Sequence, residues 1–322
     1  MEKIVNLSPI PKEFLIEFFK MHGVEDIDVV DAGNFAAEQV IEEVKNAEYI
    51  IGDYRFQQKI TRELVQAAKN VKLIQQPSVG YQHIDINACS EAGIKVANTA
   101  GANTIAAAEH TIMSALCLIK NIFYAARTTA VGEWRQMEVK PVELFNKTWG
   151  FIGFGRMGKA VAERLIAFGL HMLYYDVARV PAEEEKRLQV TFTTLSDVLK
   201  SADIISLHCP LTEETTGIIN RDTIALMKPG AIIINVARGE VVDEQALAQA
   251  LQDGKLGGAA LDVFSAEPIA SANPLLAVTG DKVILSPHVA GVSQEAQGRI
   301  LTATITNIVK VMKGEIAESL VN

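Results

Sequence analysis

Cysteine is scarce: Cys89, Cys117 and Cys209 are the only three in 322 residues, and they lie far apart. That excludes a disulfide framework and any zinc pattern built on paired cysteines, and the three read as reduced core residues. Also missing is any apolar run near the roughly 18 residues of a membrane span, although 49% of the chain is hydrophobic. Basic residues are in deficit, 30 Lys and Arg against 39 Asp and Glu for a net charge of −9. They are also scattered, which speaks against a nucleic-acid surface, where clustered cations meet the phosphates. His110 and His208 have no second ligand at metal-site spacing, so no metal is expected. The start, Met1-Glu2-Lys3-Ile4-Val5, turns polar too soon for a secretory leader. A cytoplasmic protein without membrane contact is the expectation. No internal repeat, low-complexity stretch or flexible linker interrupts the chain.

What is present is length enough for two domains, and two domains imply a cleft. Strand-like and helix-like segments alternate over residues 3–7, 11–21, 27–31, 35–45, 48–52, 61–69 and 72–75. Such alternation marks an α/β unit with a parallel sheet. An apolar-rich helix is predicted over 102–126, followed by an irregular flank from Gly132 to Pro141. A second alternation places strands at 148–152, 171–176, 203–208, 231–236, 257–262 and 282–285. The last helix, 293–313, has Ser293 as its N-cap and carries Ala296, Ile300, Ile305 and Val309 on one face. The expected fold is α/β, two Rossmann/flavodoxin-like doubly wound domains with an interdomain cleft. Residues 1–100 plus 291–322 are expected to form a discontinuous substrate-binding domain and 101–290 a dinucleotide-binding domain.

The second alternation opens with a glycine pattern. Residues 150–158 read GFIGFGRMG, leaving a β-type stretch with Gly153, Gly155 and Gly158 in the spacing that cradles a dinucleotide pyrophosphate. The first glycine permits the tight turn, the second lets backbone approach the phosphates, and the third lets the next helix lie close on the sheet. The anion then sits at a helix N-terminus, where free N–H groups and the dipole favour it. Gly153 through Lys159 also fits the spacing of a nucleotide P-loop, but Ala160 has no hydroxyl to offer Mg²⁺. About twenty residues beyond the fingerprint, where an adenosine ribose needs an acceptor, a second apolar strand ends at Asp176. A carboxylate there repels a 2′-phosphate, so NAD is favoured over NADP, although Arg179 three residues on offers partial compensation.

Three polar residues fall where loops leave predicted strands of this second unit: Arg238, Glu267 and His288. In open α/β sheets the carboxyl ends of strands form the ligand crevice, so all three are candidates for one site. Hydride exchange with a 2-oxo or 2-hydroxy acid needs a cation for the carboxylate, an acid/base for the hydroxyl proton, and a group that tunes it. Arginine grips a carboxylate in two bonds and stays charged. Histidine titrates near neutrality, and a Glu at its second nitrogen orients the ring and favours the imidazolium. Each residue alone also admits a plainer reading: Arg238 as a surface ion pair, Glu267 before Pro268 as a turn residue, His288 after Pro287 as a loop histidine.

Taken together, several segments resemble the D-isomer-specific 2-hydroxyacid dehydrogenase family over essentially the whole chain. They are ANTAGANTIAAAEHT (97–111), the fingerprint at 150–158, LHCPLTEETTGIIN (207–220), MKPGAIIINVARGEVVDE (227–244), ALDVFSAEP (260–268) and LSPHVAG (285–291). The resemblance implies that Arg238 binds and polarises the substrate, that His288 is the proton donor and acceptor, and that Glu267 pairs with it. It also implies cofactor contacts from Thr104, Arg156, Met157, His208, Pro210, Thr215, Val236, Ala237, Asp262 and Gly291. Backbone N–H groups at Val79 and Gly80 are implied to hold the substrate carboxylate, where a glycine also suits a plain tight turn. Family members dimerise through their coenzyme domains, which makes 102–140 the expected homodimer surface.

The substrate is less sharply defined. Phosphoglycerate dehydrogenases of the family use several arginines for the phosphate, and here Arg55 fits one such position while Gln76 and Gln136 replace others. The regulatory domain many of them carry is not expected here. A buried phosphate needs charge-assisted bonds, so glyoxylate, hydroxypyruvate or another short 2-oxo acid is favoured, with Arg135 as an alternative cation. The alternatives are a 3-phosphoglycerate, formate or phosphite dehydrogenase, or an NAD(H)-sensing partner protein on the same scaffold.

Overall fold

A computed structural model describes residues 1–278 and 280–322. It divides into two compact units, Met1–Asn103 with Gln294–Asn322, and Thr104–Ser293.

The first unit holds a five-stranded parallel sheet of β1 (Glu2–Asn6), β2 (Ile27–Asp31), β3 (Tyr49–Ile51), β4 (Leu73–Gln75) and β5 (Lys95–Ala97), in the order β2-β1-β3-β4-β5. Its strands are short and apolar on both faces, as a sheet covered by helices on both sides requires. Val5, Ile50, Ile74 and Val96 pack on one face against Val40, Leu64, Val65 and Cys89. The intervening positions Ile4, Tyr49, Ile51, Leu73 and Ala97 face Leu15, Phe19, Leu301, Ile305 and Ile308. The helix Gln294–Met312 thus completes the sheet begun by the first residues of the chain.

The second unit contains a seven-stranded sheet of β6 (Thr148–Ile152), β7 (His171–Tyr175), β8 (Val190–Phe192), β9 (Ile204–Leu207), β10 (Ala231–Asn235), β11 (Leu256–Leu261) and β12 (Val283–Leu285). The order is β12-β11-β10-β9-β6-β7-β8 with every pairing parallel. This is the dinucleotide-binding strand order with one added edge strand, and its switch point lies between β6 and β9. Trp149 anchors the centre of the sheet: its ring is fully buried and its indole N–H donates to Ser206 Oγ at 2.8 Å.

The single helix expected over 102–126 is two, Thr104–Ile119 and Ile122–Ala130, bent by 63°. Asn121 makes the break. It adopts φ +50, the left-handed region that asparagine tolerates better than other side-chain-bearing residues, and its amide donates to Val139 O at 3.2 Å. The apolar spacing runs on through the bend without a Gly or Pro, which is why periodicity alone extends the helix. Short elements outside the predicted segments include the helix Ile86–Glu91, β5, β8 and the helix Gln136–Val139, which lies in the flank expected to be irregular. Among the described residues no single helix is long and apolar enough to cross a membrane.

Candidate active site

The glycine loop leaves β6 and enters the helix Arg156–Leu165. Gly153 sits at φ +87, and a Cβ there would lie 2.5 Å from the backbone nitrogen of Cys209. At Gly158 an added Cβ would meet Gly153 O at 2.8 Å, so the helix packs directly on the turn. Gly155 differs, because nothing lies within 4 Å of where its Cβ would be. Its exposed backbone is open to a ligand, as the pyrophosphate role requires. The first helical bond runs from Lys159 N–H to Gly155 O, leaving the N–H groups of Arg156, Met157 and Gly158 ahead of the ladder. Asp176, just past β7, accepts from Phe154 N–H at 2.6 Å and Ala178 N–H at 3.2 Å. The carboxylate is thereby fixed beside the glycine turn, and the cradle fits a dinucleotide with a free ribose hydroxyl.

The loop after β9 carries His208, Pro210 and Thr215. The Thr215 hydroxyl donates to Pro210 O at 2.6 Å and accepts from Thr212 N–H at 2.8 Å, so it shapes the loop. His208 turns inward, with Nε2 on Ser206 Oγ at 2.9 Å and its ring near Phe151. Burial lowers its pKa to about 3, so the ring is neutral. Thr104 stands at the start of its helix, and Val236 and Ala237 form the turn after β10.

That turn presents Arg238. The buried Asn235 side chain brackets it, donating to Arg238 O at 2.8 Å and accepting from Ala237 N–H at 3.0 Å. Arg238 donates to Ala237 O at 2.6 Å. Burial pulls its pKa down and the carboxylates of Glu267 and Glu240 push the other way, so a desolvated cation stands next to an acidic pair. Gly239 closes the gap: a Cβ there would collide with the carbonyl carbon of Phe264, so the Arg238 loop lies directly on the loop that carries Glu267.

Glu267 accepts from Phe264 N–H through Oε1 at 3.0 Å and meets His288 Nδ1 through Oε2 at 2.7 Å. Burial would raise its pKa, but the bonds from His288 and Phe264 and the nearby Arg238 outweigh that, and the carboxyl titrates below its ordinary range. His288, in the loop after β12, has φ +55. A left-handed histidine costs about 1–2 kcal/mol of backbone strain. The loop offsets it through Asp262, whose carbonyl accepts from His288 N–H at 2.9 Å. The Asp262 carboxylate, 2% exposed, takes Val289 N–H at 2.8 Å, Ala290 N–H at 2.7 Å and Ser286 Oγ–H at 2.6 Å. Asp262 therefore acts on the backbone of the histidine loop, next to Gly291. With Nδ1 committed to Glu267, His288 has Nε2 left for proton exchange.

In the first unit, the segment after β4 is organised around its carbonyls. Ser78 Oγ–H donates to Gly80 O at 2.9 Å, Asn98 Nδ2 donates to Val79 O at 2.9 Å, and Gln76 Nε2 donates to Ser78 Oγ at 2.7 Å. Among the described residues neither Val79 N–H nor Gly80 N–H donates a hydrogen bond, which suits them to an anion. Asp53, fully buried, accepts from the backbone N–H groups of Arg55, Gln57 and Gln58 and from Arg55 Nε at 3.1 Å. Sequence reasoning passed over Asn235, Asp53, Ser286 and Gly239 as supports of the site. For Asp53 and Asn235 the signal was present, an Asx residue two positions past an apolar strand in one case and at the strand's last position in the other. Among the described residues no cluster of His, Cys, Asp or Glu is arranged to hold a metal.

Residues 112–290 match the model of the D-isomer specific 2-hydroxyacid dehydrogenase NAD-binding domain. The D-3-phosphoglycerate dehydrogenase of Methanocaldococcus jannaschii is 40% identical over 93% of this chain. Only 56% of that relative is covered, so the chain spans little more than half its length. The glyoxylate reductase of Korarchaeum cryptofilum is 34% identical over 98% of this chain and 92% of its own. A crystal structure of D-lactate dehydrogenase from Aquifex aeolicus, complexed with NAD and lactic acid, superposes with a TM-score of 0.85 at 32% identity, covering 99% of both chains. With its parallel sheets, glycine turn and paired His288 and Glu267, the chain belongs to the D-isomer-specific 2-hydroxyacid dehydrogenase family.

Proposed function

We propose that the protein is an NAD-dependent oxidoreductase that interconverts a small D-2-hydroxy acid and its 2-oxo acid. The observation that carries this reading is the 2.7 Å bond between His288 and Glu267 on a loop beside the desolvated Arg238. When bound, the dinucleotide supplies hydride exchange at its nicotinamide. Arg238 binds the substrate carboxylate and polarises the carbonyl, as its planar fork and permanent charge suit it to do. His288 delivers a proton from Nε2 to the carbonyl oxygen in reduction and removes it in oxidation, while Glu267 holds the ring through Nδ1 and stabilises the imidazolium. Val79 and Gly80 offer neutral backbone donors for a substrate carboxylate.

Residues 1–100 with 291–322 serve as the substrate domain and 101–290 as the coenzyme domain, with Asp176 reading the ribose. Gln76 is neutral where a phosphate would require charge, and a glyoxylate reductase matches the chain nearly end to end. Glyoxylate, hydroxypyruvate or a similarly short 2-oxo acid is the preferred substrate. The protein works in the cytoplasm as a homodimer through the 102–140 segment, a reading supported by Trp134 and Met137, which stand 82% and 85% exposed in the single chain. The experiment is a panel of 2-oxo acids, 3-phosphohydroxypyruvate, formate and phosphite assayed with both nicotinamide cofactors, alongside light scattering. Turnover of short 2-oxo acids with NADH is expected. Complete silence beside tight NADH binding would replace the enzyme by a cofactor sensor.

A further inference from the structure

Behind the His288 loop lies a side chain that the reaction does not touch. His110, on the helix Thr104–Ile119, points Nε2 at Ser286 Oγ, 3.3 Å away, and at Asp262 Oδ1, 4.0 Å away. Ser286 has a single hydroxyl proton, and its 2.6 Å approach to Asp262 Oδ1 is the length of a charge-assisted O–H···O⁻ bond, so the proton points there. The contact to His110 then requires Nε2 to be the donor and Ser286 Oγ the acceptor. A directional chain results: His110 Nε2–H to Ser286 Oγ, Ser286 Oγ–H to Asp262, and Asp262 to the N–H groups of Val289 and Ala290. The carbonyl of Asp262 holds His288 N–H at 2.9 Å, in a left-handed backbone conformation of φ +55 that is uncommon for a residue other than glycine.

We propose that His110 is a positioning residue for the acid/base His288, acting through Ser286 and Asp262. Glu267 sets the ring from one side, and the His110 chain sets the backbone from the other. Without the donor at Nε2, Ser286 is free to rotate and Asp262 loses its fixed third partner. The loop then samples conformers in which Nε2 of His288 is misdirected, and small displacements of a reacting group carry large rate penalties. The inference rests on the dehydrogenase reading above for its kinetic consequence, but not for its structural one.

The test uses His110→Leu, His110→Gln and Ser286→Ala in the full chain. His110→Leu should lower kcat about tenfold, as loss of a supporting partner does, while KM for the 2-oxo acid and the Kd of NADH stay within about twofold. Glutamine places an amide N–H close to where Nε2 stood, so His110→Gln should recover most of the loss. The double variant His110→Leu/Ser286→Ala should be no slower than Ser286→Ala alone, because the two residues act in series. With ¹⁵N-histidine labelling, the His288 ring signal should shift and broaden in His110→Leu and return in His110→Gln. Wild-type kcat in His110→Leu, no rescue by glutamine, or an unmoved His288 signal overturns the proposal. If His110→Leu does not fold, His110→Gln and Ser286→Ala decide the matter. If the wild-type protein reduces no 2-oxo acid, the dehydrogenase reading fails, and the His288 signal still settles the role of His110.

Discussion

The two sheets end in loops of opposite character. After β4 of the first unit, the segment from Gln76 to Gly80 offers neutral backbone N–H groups, shaped by Ser78 and Asn98. After β10, β11 and β12 of the second unit, the loops offer charged or titrating side chains: Arg238, bracketed by the buried Asn235, and Glu267 and His288, bonded to each other. Backbone donors survive most substitutions because any residue supplies them, whereas a charged side chain is removed by one codon. The first unit should therefore govern how substrate is held, and the second whether it reacts.

The largest expected effect tests that division directly. Replacing His288 by Ala removes the ring positioned by Glu267, and general acid/base catalysis is worth roughly 10²–10⁴-fold. Steady-state turnover should fall by that order while the NADH affinity, read by fluorescence titration, stays near wild type. Preserved turnover would mean that the proton is carried elsewhere.

Glu267→Gln comes next. It keeps the shape and one hydrogen bond but deletes the charge that favours imidazolium, and turnover should fall on the order of 10- to 100-fold, the range for partners that orient an imidazole. Its pH signature has a fixed sign. The Glu267 carboxyl titrates below its ordinary range in the folded protein, because the bonds from His288 and Phe264 and the nearby Arg238 outweigh its burial. The stabilisation it provides is thus fully present above the ordinary carboxylate range and lost as pH falls through the depressed value. Urea melts of wild type and Glu267→Gln should differ most near neutrality and converge in acid; a constant gap would show that the pair contributes no linkage.

Much of this organisation is readable from residue order. The alternation of apolar strands with helical periods gives two parallel sheets, and the glycine spacing of 153, 155 and 158 locates the nucleotide turn. Arg238, Glu267 and His288 stand out because each follows a strand. What sequence order hides is whatever depends on contacts across the chain. The left-handed Asn121 breaks a helix whose apolar spacing never changes, and the three-residue β5 and β8 each carry an exposed polar residue, Lys95 and Thr191, that interrupts the apolar run. His110 and Ser286 meet across 176 positions, and Gly239 matters only because the Phe264 backbone lies against it. His208, by contrast, stands past a strand end as prominently as His288, but its ring turns inward onto Ser206. Position along a strand does not distinguish the two; the partner of the ring does.

An intermediate effect is expected at Asp176, the residue proposed to read the cofactor ribose. Asp176→Ala removes that proposed acceptor and the bond to Phe154 N–H. A charge-assisted hydrogen bond contributes about 1.5–3 kcal/mol, so NADH affinity should fall on the order of tenfold or more. The loss of negative charge should also narrow the preference for NADH over NADPH, measured as the ratio of the two kcat/KM values. An unchanged ratio would move the ribose-reading group away from this strand end.

The smallest effect belongs to the first unit and probes the contrast from its other side. Ser78 has no charge; it receives Gln76 Nε2 and donates to Gly80 O, holding the turn that contains Val79 and Gly80. Ser78→Ala removes one neutral hydrogen bond on each side, about 1 kcal/mol of order in the turn. In the proposed function Val79 N–H and Gly80 N–H hold the substrate carboxylate in ground state and transition state alike, so that cost should appear as a few-fold rise in KM with kcat preserved. Uniform binding behaves this way, and the acid/base side does not. A fall in kcat with KM unchanged would instead make the backbone turn part of the transition-state machinery, and the division between a holding unit and a reacting unit would no longer stand.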